Sequence, residues 1–131
     1  MVCLDTSFIV ALIRREPAAE IKLEKYIAED VKITTTPITV CELFEEAYHS
    51  RKKNVEVEKV REILGRVQML RFSLSACEKY GKLINELKLM GTPIGDLDAL
   101  VASLALAYNE PLVTKDKKHF EKVPSLIVET W

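Results

Sequence analysis

The chain opens on an apolar triplet, Val2-Cys3-Leu4, that runs into Asp5-Thr6-Ser7 and then into a second apolar segment, Phe8-Ile-Val-Ala-Leu-Ile13. A short apolar run closed by a polar turn reads as a buried strand. The segment after it reads as a helix ending near Arg14-Arg15, because Pro17 disfavours helical geometry at the residue before it. Pro17 suits the first turn of a second helix reaching about Ile27, with Ile21, Leu23 or Lys25, and Ile27 on its inner face. Val31-Lys-Ile-Thr-Thr35 alternates and is β-branched, so it reads as a second strand. Thr36-Pro37 places a hydroxyl at an N-cap and proline at the first helical position. It predicts a helix from Ile38 to about His49, with Ile38, Cys41, Leu43 or Phe44, and Tyr48 at helical spacing.

Asn54 can cap a fourth helix, Val55 to Val67, whose Val57, Val60, Ile63, Leu64 and Val67 form an apolar stripe. Such a stripe suits the core, a dimer surface or a seat for a partner helix. Met69-Leu-Arg-Phe72 reads as a third strand, and Ser75-Ala-Cys-Glu78 fits a capping box that opens a long helix to about Met90. Gly91-Thr-Pro-Ile-Gly95 is the clearest break. The helix after it, Asp96 to Ala107, is apolar on nearly all sides and is expected to be central. Pro111 to Thr114 reads as a short strand, Lys115 to Phe120 as a loop or helical turn, and Leu126-Ile-Val128 as a final strand. Helices separating short strands predict an α/β architecture, a mostly parallel sheet of four to five strands covered on both faces.

Composition narrows the class. A chain of 131 residues with 48% apolar content matches one domain, residues 1–131, with a substantial core. No run reaches the roughly 18 apolar residues of a membrane span, and the N-terminus lacks the order of a signal peptide, so a cytoplasmic location is expected. Cys3, Cys41 and Cys77 have no metal-ligand spacing and read as free, mostly buried thiols. Nineteen basic and twenty acidic side chains give a net charge of −1, which excludes a strongly basic nucleic-acid binder. A polyanionic substrate would have to be held by local patches or by metal.

Asp5 is either a site residue at the end of a parallel strand or, with Thr6, an N-cap of the first helix. Other carboxylates bear on that choice. Glu42 lies on the second turn of the helix after strand two, Asp98 in the first turn of the apolar helix, and Asp116 just past the Leu112-Val113 strand. All four can face one crevice at the carboxyl ends of the strands. Crowded carboxylates repel one another unless a divalent cation compensates them, and an all-oxygen set favours Mg²⁺ or Mn²⁺ over Zn²⁺. Those metals suit phosphodiester hydrolysis without a protein nucleophile. Ser7 and Thr114 are placed to support a ligating carboxylate.

The arrangement Asp5-Thr-Ser7, Thr36-Pro-Ile-Thr-Val-Cys-Glu42-Leu43, Gly95-Asp-Leu-Asp98 with its small-residue helix, and Leu112-Val-Thr-Lys-Asp116 with Phe120 resembles a PIN domain. It is most similar to the VapC-type toxins of prokaryotic toxin–antitoxin pairs, and the closing Leu126-Ile-Val-Glu-Thr-Trp131 fits too. The resemblance covers the whole chain. It implies a PIN-like α/β/α sandwich, Mg²⁺- or Mn²⁺-dependent ribonuclease activity on RNA, a homodimer, and inhibition by a small antitoxin. Carried over by position, the acidic residues are Asp5, Glu42, Asp98 and Asp116, with Ser7 and Thr114 as supporting hydroxyls. Val101-Ala-Ser-Leu-Ala105 registers the family aspartate onto Asp98 and leaves Asp96 as an N-cap or an additional outer carboxylate.

Arg14, Arg15, Lys115, Lys117 and Lys118 are candidates for RNA phosphate contact, whereas Arg51-Lys52-Lys53 reads as a helix terminus favourable to the dipole. Glu45 and Glu46 read as a solvated acidic face, and His119 as an acid or base or simply an exposed histidine. One alternative function is a non-catalytic PIN-like module that binds RNA or protein. Another is an aspartyl-phosphate protein, for which position 7 would have to be Asp rather than Ser.

Overall fold

The computed structural model describes residues 1–131. Five strands, β1 (Val2–Leu4), β2 (Ile33–Thr35), β3 (Gln68–Met69), β4 (Leu112–Val113) and β5 (Val128–Glu129), form one sheet in the order β3-β2-β1-β4-β5. Every pairing is parallel, and Leu4 lies opposite both Thr35 and Val113. Seven helices connect them: α1 (Thr6–Ile13), α2 (Pro17–Ala28), α3 (Pro37–His49), α4 (Lys53–Leu64), α5 (Leu74–Leu89), α6 (Asp96–Ala107) and α7 (Lys117–Phe120). None is long and apolar enough to cross a membrane.

Strand alternation divides the core into two layers. Val2, Leu4 and Val113 pack with Phe8, Ile9, Leu12, Leu43, Val57 and Val60, so α1, α3 and α4 cover one face. Cys3 and Leu112 point the other way, against Leu83 and Leu87 of α5 and the buried Ala99, Val101, Ala102, Leu104 and Ala105 of α6. The small side chains of α6 let it pack closely against α5, and its buried, nearly all-apolar circumference fits a central helix. Trp131 closes the first layer, edge-on to Phe8 with ring centroids 4.8 Å apart.

Several local expectations are corrected. The inner face of α2 is Ala19 and Tyr26, while Ile21 and Ile27 are exposed. Tyr26 turns inward because its hydroxyl donates a 2.5 Å hydrogen bond to Glu129 Oε1, which pins α2 to β5. On α3 the buried positions are Thr39, Leu43 and Ala47, and Cys41 and Tyr48 face solvent. Of the three thiols only Cys3 is buried. The α4 helix starts at Lys53, so Asn54 lies inside it and Arg51-Lys52 precede it. Ser73, not Ser75, caps α5 by accepting from the Ala76 N–H at 3.2 Å.

At the amino ends of the strands lies a buried acid that sequence patterning did not single out. Glu110 is 4% exposed, and its Oε2 is in hydrogen-bond contact with Thr34 Oγ1, which also lies 3.0 Å from the Val2 carbonyl. The Thr34 hydroxyl has a single proton, which the Glu110 carboxyl and the Val2 carbonyl share as acceptors. Burial pushes the Glu110 carboxyl up, with the Thr34 contact, the chain's amino terminus and Lys32 offsetting part of the effect. The folded state therefore holds this proton more tightly than the unfolded one, and stability falls as pH rises through the ordinary glutamate range. Glu110→Gln is expected to be more stable than the wild type at pH 7, on the order of 1 kcal/mol, with the difference vanishing below about pH 4. Denaturant melts of both proteins across that range check it; a destabilised variant at pH 7 would show the acid is held as a carboxylate.

Candidate active site

The sheet order decides where chemistry collects. The neighbours of β1 lead in opposite directions, and the ends of β1 and β4 border the crevice where open parallel sheets bind ligands. Asp5 follows β1, and its N–H donates to the Val113 carbonyl at 3.0 Å, which holds it against the end of β4. Its backbone occupies the N-cap of α1, and its carbonyl accepts from the N–H groups of Phe8 and Ile9. The side chain, however, makes no capping bond. Its Oδ2 instead accepts a 2.7 Å hydrogen bond from Thr114 Oγ1. Asp5 thus fills both positions that the sequence left open, the cap with its backbone and the crevice with its carboxylate.

The hydroxyl protons around Asp5 are fixed by elimination. Thr114 gives its single proton to Asp5, so its oxygen accepts from the Asp116 N–H at 3.0 Å and from Ser7, whose Oγ is 3.3 Å away. Ser7 in turn accepts from the Lys115 N–H at 3.0 Å. This relay ties the start of α1 to the loop after β4.

Thr36 caps α3 by accepting from the Thr39 N–H at 3.0 Å, and Pro37 occupies the first turn, so Glu42 is set above the sheet end from the second turn. The α6 helix begins after Gly95 and carries Asp98 in its first turn. Asp96 is exposed at the first helical residue and is not the cap, which is Gly95 with no side-chain bond. Asp116 caps α7, accepting from the His119 N–H at 3.4 Å. The His119 ring faces back, its Nδ1 at 2.7 Å from Asp116 Oδ2 and 3.8 Å from Asp98 Oδ2.

Electrostatics show that the carboxylates share one region. Burial raises the Asp5 carboxyl above the ordinary aspartate value, hydrogen bonding from Thr114 opposes this, and repulsion from Asp98 and Asp116 adds to it. Burial likewise raises Glu42, with Asp5 and Asp98 repelling it; the nearby Thr6 hydroxyl offsets a little, although its oxygen makes no geometrically sound hydrogen bond. Asp98 is raised by burial and by Asp116 and partly relieved by His119. No lysine or arginine forms an ion pair with any of the four. Asp98 and Asp116 bring carboxylate oxygens, with His119 Nδ1, within 4.8 Å of one another, whereas Asp5 and Glu42 stand outside that group and are felt there through charge repulsion, leaving an oxygen-rich region with a deficit of positive charge. A hard divalent cation fits that region.

The basic candidates divide. Lys115 and Lys117 flank Asp116 and are exposed on the rim of the crevice. Arg14 lies 4.0 Å from Glu46 beside a cleft between α1, α3 and α4, and Arg15 sits in the left-handed turn that follows α1, with φ 58°. Glu45 and Glu46 are exposed, as expected of a solvated face. The α4 stripe divides between core, at Val57 and Val60, and a cleft of about 460 Å³ lined by Leu23, Ile27, Ile63 and Val67. Sequence reasoning gave His119 no firm role; the available signal was its spacing of three residues from Asp116, which places both side chains on one side of a short helical turn.

Comparison with known proteins extends the picture. The family model described as PIN domain matches residues 2–126. The chain is 34% identical over 128 residues to Ribonuclease VapC2 of Rickettsia felis, covering 98% of this chain and 96% of that protein. Its fold superposes on the crystal structure of VapBC2 from Rickettsia felis bound to a promoter DNA fragment with a TM-score of 0.93 at 34% identity, covering 100% and 99% of the two chains. Against VapBC-1 from nontypeable Haemophilus influenzae the TM-score is 0.84 at 30% identity, with 100% and 98% covered.

Proposed function

The chain belongs to the PIN-domain family and is a ribonuclease of the VapC type, and on that premise we propose that Asp5, Glu42, Asp98 and Asp116 are the metal-binding and catalytic residues of an RNA phosphodiester hydrolase, acting as one domain. The observation that carries this reading is the buried Asp5 carboxylate, held by Thr114 and repelled by Asp98 and Asp116 with no basic residue to neutralise it. We infer that the ion is a hard divalent cation, Mg²⁺ or Mn²⁺, from the preference of such cations for oxygen donors. When bound, such an ion polarises the phosphodiester, favours deprotonation of an attacking water and stabilises the leaving oxygen.

The protein's own residues supply orientation and charge. Thr114 fixes the Asp5 carboxylate, and Ser7 fixes Thr114, so Asp5 cannot rotate away as substrate enters. Asp116 caps α7 by accepting from the His119 N–H, and the His119 ring stands beside its other oxygen, with Nδ1 2.7 Å from Oδ2. Lys115 and Lys117 on the rim are assigned to the RNA phosphates flanking the cleaved bond, with Arg14 and Arg15 as outlying contacts. Asp96 is an outer carboxylate.

The relatives pair with antitoxins, as the name VapBC denotes, and a small antitoxin protein is the partner of this chain. We assign its docking surface to the apolar cleft lined by Leu23, Ile27, Ile63 and Val67, a cytoplasmic location, and a homodimer as the active form. The purified chain is expected to cleave RNA in Mg²⁺ or Mn²⁺, to stop in EDTA, and to resume when the ion is restored. Cleavage at full rate in EDTA would contradict the proposal.

A further inference from the structure

His119 is the one side chain in the crevice that brings nitrogen to a set of oxygens. We propose that His119 is a direct ligand of the divalent cation, forming with Asp98 and Asp116 a mixed oxygen and nitrogen triad that makes this site prefer Mn²⁺ over Mg²⁺. The inference rests on the reading that the acidic crevice binds a divalent ion, and it assigns a residue and a selectivity that reading does not contain.

The geometry supports it in three ways. First, Nδ1 of His119 and one carboxylate oxygen from each of Asp98 and Asp116 all lie within 4.8 Å of one another. Octahedral ligands about 2.1 Å from one ion stand about 3 Å apart when adjacent. The separations of 2.7 Å to Asp116 and 3.8 Å to Asp98 straddle that spacing, so small side-chain rotations bring the three atoms around one ion. Second, the ring is aimed rather than free. Phe120 is 1% exposed and anchors α7 in the core, and the His119 N–H is bonded to Asp116, so the turn presents the imidazole to the carboxylates. Third, Lys117 and Lys118 share that turn, yet neither pairs with Asp98 or Asp116. A turn serving only to neutralise charge has two cations to hand and uses neither.

The selectivity follows from donor chemistry. Mg²⁺ keeps hard oxygen ligands and several waters, whereas imidazole nitrogen suits the later divalent ions and adds affinity in their order. Mn²⁺ stands first in that order, so a nitrogen donor adds modestly to its affinity and less to that of Mg²⁺, which lies outside it.

The test uses the full chain loaded with Mn²⁺ and examined by pulsed electron paramagnetic resonance, together with calorimetric titration of Mn²⁺ and Mg²⁺. The chain has two histidines, His49 and His119, so the source of an imidazole nitrogen coupling can be assigned by substitution. The wild type and His49→Gln are expected to show the coupling and His119→Gln to lose it. Mn²⁺ affinity of His119→Gln is expected to fall about tenfold, and Mg²⁺ affinity by less than about threefold. Bound Mn²⁺ without the coupling in the wild type, or equal Mn²⁺ affinity in wild type and His119→Gln, would overturn the assignment and leave the metal reading standing. Failure of the wild type to bind Mn²⁺ would overturn both.

Discussion

Asp5→Asn is expected to lower RNA cleavage on the order of 10³-fold while leaving the protein folded and slightly more stable. The reasoning separates charge from shape. Asparagine has the volume of aspartate and can still accept the Thr114 hydrogen bond, so the 2.7 Å contact and the relay to Ser7 survive. What disappears is the negative charge nearest the end of β1. Loss of an outer-shell partner of a metal site costs roughly 10- to 100-fold, and a direct ligand is expected to exceed that. The stability change runs the other way, because Asp5 is a buried carboxylate repelled by Asp98 and Asp116. Removing that charge at pH 7 is expected to raise the melting temperature by roughly 3 °C, in line with about 1 kcal/mol for a chain of this size. Cleavage assays and thermal melts on the same preparation check both. Undiminished cleavage would remove Asp5 from the machinery, and a large fall in melting temperature would show that its charge is structural.

The second large effect is stabilisation by the ion itself. A ligand at 100 times its Kd that binds only the folded state adds about 2.7 kcal/mol, which for this chain corresponds to a rise on the order of 8 °C. The effect depends on pH with a definite sign. Asp5, Glu42 and Asp98 all have carboxyls raised in the folded state. Without the ion, the folded state holds their protons more tightly than the unfolded state, so this contribution to stability falls as pH rises through the ordinary carboxylate range. With Mn²⁺ present the trend reverses, because ligands must be deprotonated and protons compete with the metal at low pH. The gap between melts with and without Mn²⁺ is therefore expected to widen from pH 5 to about pH 8. A constant gap would mean that the ion binds elsewhere.

The sheet and the element ends that carry the acidic residues were legible in the sequence because they depend on strong local signals. Val2-Cys3-Leu4 alternates faces inside a buried sheet, Thr36-Pro37 starts a helix, and Gly95 precedes one apolar all round. Each of these fixes an element end, and element ends carry Asp5, Glu42 and Asp98. Helix faces were less legible. On α2 the eye follows the large residues Ile21 and Ile27, yet the sheet layer takes Ala19, whose methyl permits close approach, and Tyr26, whose hydroxyl finds Glu129. The capping box Ser75-Ala-Cys-Glu78 drew the start of α5 two residues late, because Ser73 caps the helix by accepting from the Ala76 N–H. Glu110 was missed for a related reason. A buried acid looks like a surface acid in sequence, whereas His119, read as an acid or base or an exposed histidine, is exposed, and its approach to Asp116 was signalled only by their three-residue spacing.

If Asp5, Glu42, Asp98 and Asp116 act together on a divalent ion, as proposed, calorimetric titration of Mn²⁺ into the wild type, Asp5→Asn and Asp98→Asn at pH 7.5 will show it. Saturable binding by the wild type is expected, with affinity at least about tenfold weaker in each variant. Equal affinity in all three proteins would contradict the shared metal site.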